Sequence, residues 1–240
     1  MNYIDIVKVC QEWYMRKFDV PCQKIKVSRL KLSVSGDCEW STLDRGPEVY
    51  DTSRKVIVNF QDHHRDPSCD LTVTTSSSNS INVTLSQTVV KGLSKSVEIP
   101  FDDEVPEKVI SIFGNSLKID PGKQKDEKIF SPSYNEQHAD ISDNVNVEAD
   151  IQTSESFYKG RFDCKLQLTG NVIFESNGEI KDPNIGQIVE EINTMTGGHL
   201  NMFGLVKDYR KNRLIPKGIC WSAAGECELT WNPKPYIEWN

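Results

Sequence analysis

The stretch LTVTTSSSNSINVTLSQTVVKGLSKSVEIP, Leu71 to Pro100, decides the fold. Twelve of its thirty residues are serine or threonine, which is the composition of a linker. Yet Ile81, Val83, Leu85, Val89, Leu93, Val97 and Ile99 all fall at odd positions, and from Ile81 onward only Val90 is apolar at an even one. A period of two is the signature of a strand with one buried face. Read as one element from Ile81 to Ile99, it spans on the order of 60 Å at about 3.3 Å per residue, against a usual length of about five or six residues. A bend or bulge near Lys91-Gly92 is the structural alternative. Threonine suits a pleated surface and water satisfies the hydroxyls, so the coat keeps such a strand soluble on its open face.

Working outward, Tyr3, Ile6, Val7, Cys10, Trp13, Tyr14 and Phe18 recur at steps of three and four, predicting an amphipathic helix over 2–18. Strands follow through Ile25 and Val27, then Leu30, Leu32 and Val34, then Val56 to Phe60. Lys24, Lys26, Arg29 and Lys31 read as a charged edge strand. Residues 101–138 read as a short apolar strand from Val109 to Ile119, a tight turn at Asp120-Pro-Gly and a polar return. Alternation resumes through Ile141, Val145, Val147, Ala149 and Ile151, then moves to even positions at Phe162, Cys164, Leu166 and Leu168. A one-residue slip reverses the faces of a strand, so a bulge or turn is expected at Tyr158-Lys-Gly160. Asp182-Pro183 predicts a helix start and Gly197-Gly198 its end, before a last β segment carrying Trp221, Trp231 and Trp239.

With 240 residues the chain can bury a sizeable core. A net charge of −7 argues against a nucleic-acid binder that works by phosphate neutralisation. Seven cysteines lack the Cys-x-x-Cys spacing of a zinc site, which favours disulfides over metal. Cys220 and Cys227 flank Trp-Ser-Ala-Ala-Gly-Glu as candidates to face each other across a hairpin. Asn82-Val-Thr84 is a glycosylation sequon. The start carries no secretory leader pattern, and no stretch approaches the roughly 18 apolar residues of a membrane helix. No phosphate loop, Gly-x-Ser-x-Gly or His-Glu-x-x-His occurs, and Asp62-His63-His64-Arg65-Asp66 reads as a polar turn. The sequence thus reads as a non-enzyme with no metal and no cofactor.

Three pieces resemble, in order, the aerolysin-like β-pore-forming proteins, in the branch of epsilon toxin and the mosquitocidal toxins. They are Leu71 to Ile99 with Pro100 after it; Val145-Asn-Val-Glu-Ala-Asp-Ile with Phe157-Tyr-Lys-Gly-Arg-Phe-Asp-Cys-Lys-Leu-Gln-Leu-Thr-Gly170; and Gly218-Ile-Cys-Trp-Ser-Ala-Ala-Gly-Glu-Cys-Glu-Leu. The resemblance covers roughly residues 55 to 230. Glu148-Ala149 stands where the family often has a Pro-Pro pair, and the 181–198 helix looks like an insertion.

The resemblance implies a mainly β fold, an elongated module of long twisted antiparallel strands with an N-terminal helix-containing head. It implies a head over 1–65, a pore-forming-like module over 66–180 and a C-terminal helix and β segment over 181–240. Such a protein is secreted, binds a cell-surface receptor, passes from monomer to homo-oligomer and inserts a β-barrel into the target membrane. The inserting segment is 101–138, with Val109, Ile110, Ile112, Phe113, Leu117 and Ile119 as its apolar residues. Ile110 and Ile112 break its alternation, and Lys123-Gln-Lys-Asp-Glu-Lys128 is heavily charged for a bilayer centre. Trp13, Tyr14, Trp40 and Tyr50 are the candidate receptor-facing aromatics. The alternatives are a non-lytic glycan- or ligand-binding protein on the same scaffold, and an intracellular β protein with reduced thiols.

Overall fold

The structure is a computed structural model that describes residues 2–41, 43–46, 49–59, 68–77, 79–93, 95–103, 105–130, 133–142, 146–210, 213–231 and 236–239. Within these, it describes the backbone alone for 49–59, 68–77, 133–142, 146–154, 210 and 236–239. The fold is mainly β, with long antiparallel strands and three helices among the described residues.

Strand β1 (Asn2–Asp5) leads directly into helix α1 (Ile6–Phe18). The helix predicted from Asn2 therefore starts later than expected, because residues 2–5 pair in parallel with residues 88–91. Asp5 caps α1, its carboxylate accepting from Val7 N at 2.9 Å and Lys8 N at 3.2 Å. This satisfies two of the donors that a helix start leaves without partners. The buried stripe is Ile6, Val9, Cys10, Trp13 and Tyr14. Next, β2 (Lys24–Lys26) forms an outer strand of a three-stranded sheet. There Lys26 pairs with Glu175, and Lys24 lies 3.9 Å from the same carboxylate. The Lys26 hydrogen bond depresses the Glu175 pKa, so this surface pair is present at neutral pH and lost as acid protonates the carboxylate.

Strands β3 (Lys31–Val34), β4 (Glu39–Trp40), β5 (Asp44–Arg45) and β6 (Val49–Asn59) all pair antiparallel with one later strand, of residues 146–169. The hydroxyl-rich stretch then divides into β7 (Ser68–Ser77), β8 (Ser80–Leu85), β9 (Thr88–Lys91) and β10 (Val97–Pro100). A single strand from Ile81 to Ile99 is thus corrected. The ladder breaks at Ser86, whose N–H is drawn to Ala224 O at 2.9 Å, and at Gly92, where φ is +87°. A Cβ at Gly92 would also sit 3.1 Å from the Asp5 carboxylate, so glycine marks the expected bend. All seven odd-numbered apolar residues from Ile81 to Ile99 are nevertheless buried. The period encoded a face that survives the breaks.

Helix α2 (Glu107–Phe113) replaces the expected strand at Val109, and β11 (Ser116–Ile119) follows it. Val109 and Phe113, four residues apart, share the buried face of α2. That spacing is a helical signal, and the half-buried Ile110 and Ile112 that spoiled the alternation flank it. After β12 (Lys125–Ile129) and β13 (Ser133–Ser142) comes β14 (Asn146–Thr169). The expected bulge at Tyr158-Gly160 is absent, and even positions from Ser156 to Leu168 are buried without interruption. The register against β6 slips between Ile151 and Thr153, with the extra residue on β6, so β14 itself carries no added residue there.

Strands β15 (Ile173–Ser176) and β16 (Glu179–Lys181) precede helix α3 (Ile185–Thr196). Its cap is Asn184 rather than Asp182-Pro183. The Asn184 amide oxygen accepts from Gln187 N at 2.9 Å, and Asn184 N–H donates back to Gln187, forming a capping box. Gly197 ends α3 with φ +69°. Strands β17 (Gly204–Arg210) and β18 (Arg213–Trp231) make a hairpin, and β19 (Tyr236–Trp239) pairs with β14. Cys220 and Cys227 therefore lie on one strand, not across a hairpin. Seven residues of extended chain hold them roughly 23 Å apart, far beyond the reach of a disulfide. Both thiols are free and buried.

These pairings divide the chain into two interleaved units. One comprises Met1–Leu43, Val83–Asp126 and Gly160–Cys227; the other comprises Asp44–Asn82, Glu127–Lys159 and Glu228–Asn240. The first has a dense core that includes Ile6, Leu30, Leu166, Phe174, Ile188 and Ile219, all fully buried. In the second, β14 carries β6 and β19, and β7 pairs with β13 as a two-stranded ribbon.

Candidate membrane-insertion segment

The part of segment 101–138 that belongs to the first unit is held at both ends. At its entrance β10 pairs with β11, setting Val97 opposite Ile119 and Ile99 opposite Leu117, all four buried. Trp40 Nε1 donates to Pro100 O at 2.9 Å, and its ring lies against Phe101 and Phe162 at 5.0 and 5.5 Å. Phe101 N donates to Asn115 O at 3.0 Å, closing the excursion that contains α2. At the exit, Val90 N donates to Pro121 O and Leu85 N to Gln124 O, each at 2.8 Å. Tyr3 Oη donates to Gln124 Oε1 at 2.7 Å. The Asp120 carboxylate accepts from Gly122 N at 2.9 Å, making a tight side-chain-bonded turn.

Val109, Phe113, Leu117 and Ile119 are buried in this unit, with Ile110 and Ile112 half-buried beside them. Burial of four such side chains corresponds to roughly 6–12 kcal/mol. Any state in which the segment leaves must therefore offer these residues another apolar environment. The charged return is paired locally, with Lys123 Nζ at 2.9 Å from Asp126 and 4.0 Å from Asp120.

Trp13, Tyr14 and Trp40 are 2, 4 and 8% exposed and pack in the core. Trp13 Nε1 donates to Glu191 Oε2 at 2.8 Å, fastening α1 to α3. The side chain of Tyr50 and the residues Asp62 to Asp66 lie outside the description.

The ribbon belongs to the second unit. Strands β7 and β13 match over ten pairs, from Ser68↔Ser142 to Ser77↔Ser133, with odd positions always opposite odd ones. The register groups Cys69, Leu71 and Val73 with Ile141, Ala139 and Gln137. Asp70, Thr72 and Thr74 are grouped with Asp140, His138 and Glu136. A strand of about 9–11 residues with this alternation is what a tilted membrane-crossing strand requires.

Two surface features went unread in the sequence. An open groove of about 500 Å³ in the first unit is bordered by Trp40, Ser41, Arg161, Asp163 and Glu226. Arg161 Nη2 lies 2.9 Å from Glu226 Oε1 across β14 and β18. The second is the β17–β18 hairpin, where Tyr209 and Leu214, directly opposite in register, are 66 and 63% exposed. Both depend on strand pairing between distant residues or on a hairpin that no turn motif announces. Among the described residues no cluster of three or more His, Cys, Asp or Glu forms a metal site, and no helix is long and apolar enough to cross a membrane.

No family model and no curated protein matches the chain. Solved structures similar to it include a non-toxic crystal protein from Bacillus thuringiensis, with 10% identity, TM-score 0.40, and coverage of 99% of this chain and 96% of that one. The parasporin-2 Bacillus thuringiensis toxin that recognizes cancer cells aligns with 9% identity, TM-score 0.42 and coverage of 97 and 90%. The Mpp75Aa1.1 β-pore-forming protein from Brevibacillus laterosporus aligns with 10% identity, TM-score 0.37 and coverage of 91 and 70%. These are proteins to which the chain is similar; likeness at such scores assigns it no activity.

Proposed function

We propose that this chain is a secreted β-pore-forming protein that binds a cell-surface receptor, assembles into a homo-oligomer and inserts a β-barrel through segment 101–138. What supports the reading most is the ten-pair β7–β13 ribbon, hydroxyl-rich and alternating, whose strands have the length of membrane-crossing ones. The segment joins that ribbon at β13. On insertion, Val109, Ile110, Ile112, Phe113, Leu117 and Ile119 exchange protein core for lipid. Helix α2 is only seven residues long and rich in β-branched side chains, so it has little intrinsic stability and converts readily to strand once its buried face is released. Hairpins from several subunits must close a barrel, because an open edge in hydrocarbon leaves backbone groups unpaired. The exposed Tyr209 and Leu214, with Lys207 and Arg213 beside them, supply a first contact surface for membrane or receptor.

The test is release of entrapped dye from target cells or receptor-bearing vesicles, together with SDS-resistant oligomers on the membrane. The expected result is leakage that appears with the oligomer. Intact vesicles across pH values and receptors would overturn the proposal. A second reading, a non-lytic glycan- or ligand-binding protein on the same scaffold, is favoured by the charged run Lys123 to Lys128. Glycan-array binding without leakage would select it.

A further inference from the structure

We infer that Cys38 and Cys164 are an oxidative cross-linking site, forming a disulfide that ties the loop between β3 and β4 to strand β14 when the chain meets a low-molecular-weight disulfide. The register carries the inference. Trp40 pairs with Phe162 and Glu39 with Asp163, so the next step of the same ladder sets Cys38 opposite Cys164. On the other side of the loop, Ser35 N returns to Lys165 O at 2.7 Å, and Gly36, with φ +82°, turns the chain between them. Cys164 Sγ donates to Ala223 O at 3.4 Å, and each of the two thiols is near enough to perturb the other's titration.

Directly opposed residues of an antiparallel pair have Cβ atoms about 4.5–5.5 Å apart, and a disulfide needs about 3.5–4.5 Å. The remaining shift falls to Cys38, which lies outside the ladder while Cys164 lies within it. The other described thiols have different surroundings. Cys10 is inside the α1 stripe, Cys22 faces the carbonyls of Lys24 and Glu175, and Cys220 and Cys227 are far apart on β18.

Exposure sets the order of events. Cys164 is 3% exposed, and burial, with Cys38 and Asp163 adding to it, pushes its thiol up to about 12. Cys38 is partly exposed; burial raises its thiol, Cys164 beside it acts in the opposite direction, and the Asp37 carboxylate raises it further. Cys38 therefore attacks the small disulfide first as its thiolate. One small thiol leaves, and a mixed disulfide remains on Cys38. Cys164 then attacks Cys38 Sγ and expels the second small thiol. The two protein thiols lose two electrons and two protons in all, and the small disulfide gains them as two thiols. The cross-link closes a loop of well over a hundred residues, which restricts the unfolded chain. It forms outside the reducing cell interior and is absent within it.

The test treats the reduced full-length chain with oxidised glutathione, alkylates the remaining thiols and maps peptides without reduction. The expected results are a peptide pair joined through Cys38 and Cys164, and a higher Tm than that of the reduced protein. In the Cys164→Ser variant Cys38 retains one glutathione. In the Cys38→Ser variant Cys164 takes none. Alkylation of both cysteines after oxidation of natively folded protein would overturn the inference, as would a Cys38 bridge to any other cysteine.

Discussion

Replacing Gly218 with valine is expected to leave almost no folded protein. A Cβ at this position would lie 2.5 Å from Leu168 O and 2.7 Å from Thr169 Cγ2. A Cβ at Gly186, near the start of α3, would lie 2.6 Å from Gly218 N and 2.8 Å from Gly218 O. Three backbones, of α3, β18 and β14, thus meet with only hydrogens between them. Neither glycine has a positive φ, so close approach rather than conformational freedom explains both. Ordinary overpacking costs about 1–3 kcal/mol because side chains yield. Here the obstacle is backbone in paired strands, and the loss should exceed about 4 kcal/mol of a total of about 5–15. Soluble yield and Tm measure it. A wild-type Tm would mean that β18 does not approach Leu168 and Thr169 of β14 this closely.

The second large effect is expected for Phe174→Ala. Phe174 is fully buried between the rings of Trp13 at 5.0 Å and Tyr14 at 5.2 Å. Truncating such a ring costs about 3–5 kcal/mol. For a chain of this size that is a fall in Tm of roughly 6–20 °C. Tryptophan emission should move to longer wavelength as Trp13 meets water. The result also bears on the N-terminal aromatics: if Trp13 and Tyr14 faced a receptor and left the core alone, Phe174→Ala would barely change Tm.

The sequence made the face of each β element legible more than its extent. Every odd apolar position from Ile81 to Ile99 is buried, because alternation is set locally by the pleat. Where a strand stops is set by its partners, and Ser86 leaves the ladder for Ala224, more than a hundred residues away. Likewise the one-residue slip between β14 and β6 could not be placed along the chain, since it lies in the pairing of the two strands. Val109 and Phe113 carried a helical spacing that the β-branched run between them obscured. Trp40 was visible as an aromatic, but only the fold makes it a support for Pro100 and Phe101. The Cys38–Cys164 juxtaposition was beyond reach because it depends on the register of β4 against β14. A division into interleaved units is equally invisible to a reading along the chain.

The release of residues 101–126 of the segment from the first unit is the central claim, and one cross-link tests it most directly. A Cβ added to Gly122 would lie 3.7 Å from Lys91 Cα, so the Lys91→Cys/Gly122→Cys pair suits a disulfide that pins the segment to β9. With the cross-link verified by mass, the oxidised variant should bind membranes and release no dye, and reduction should restore leakage to the wild-type level under the same reductant. Full leakage from the oxidised variant would contradict the account.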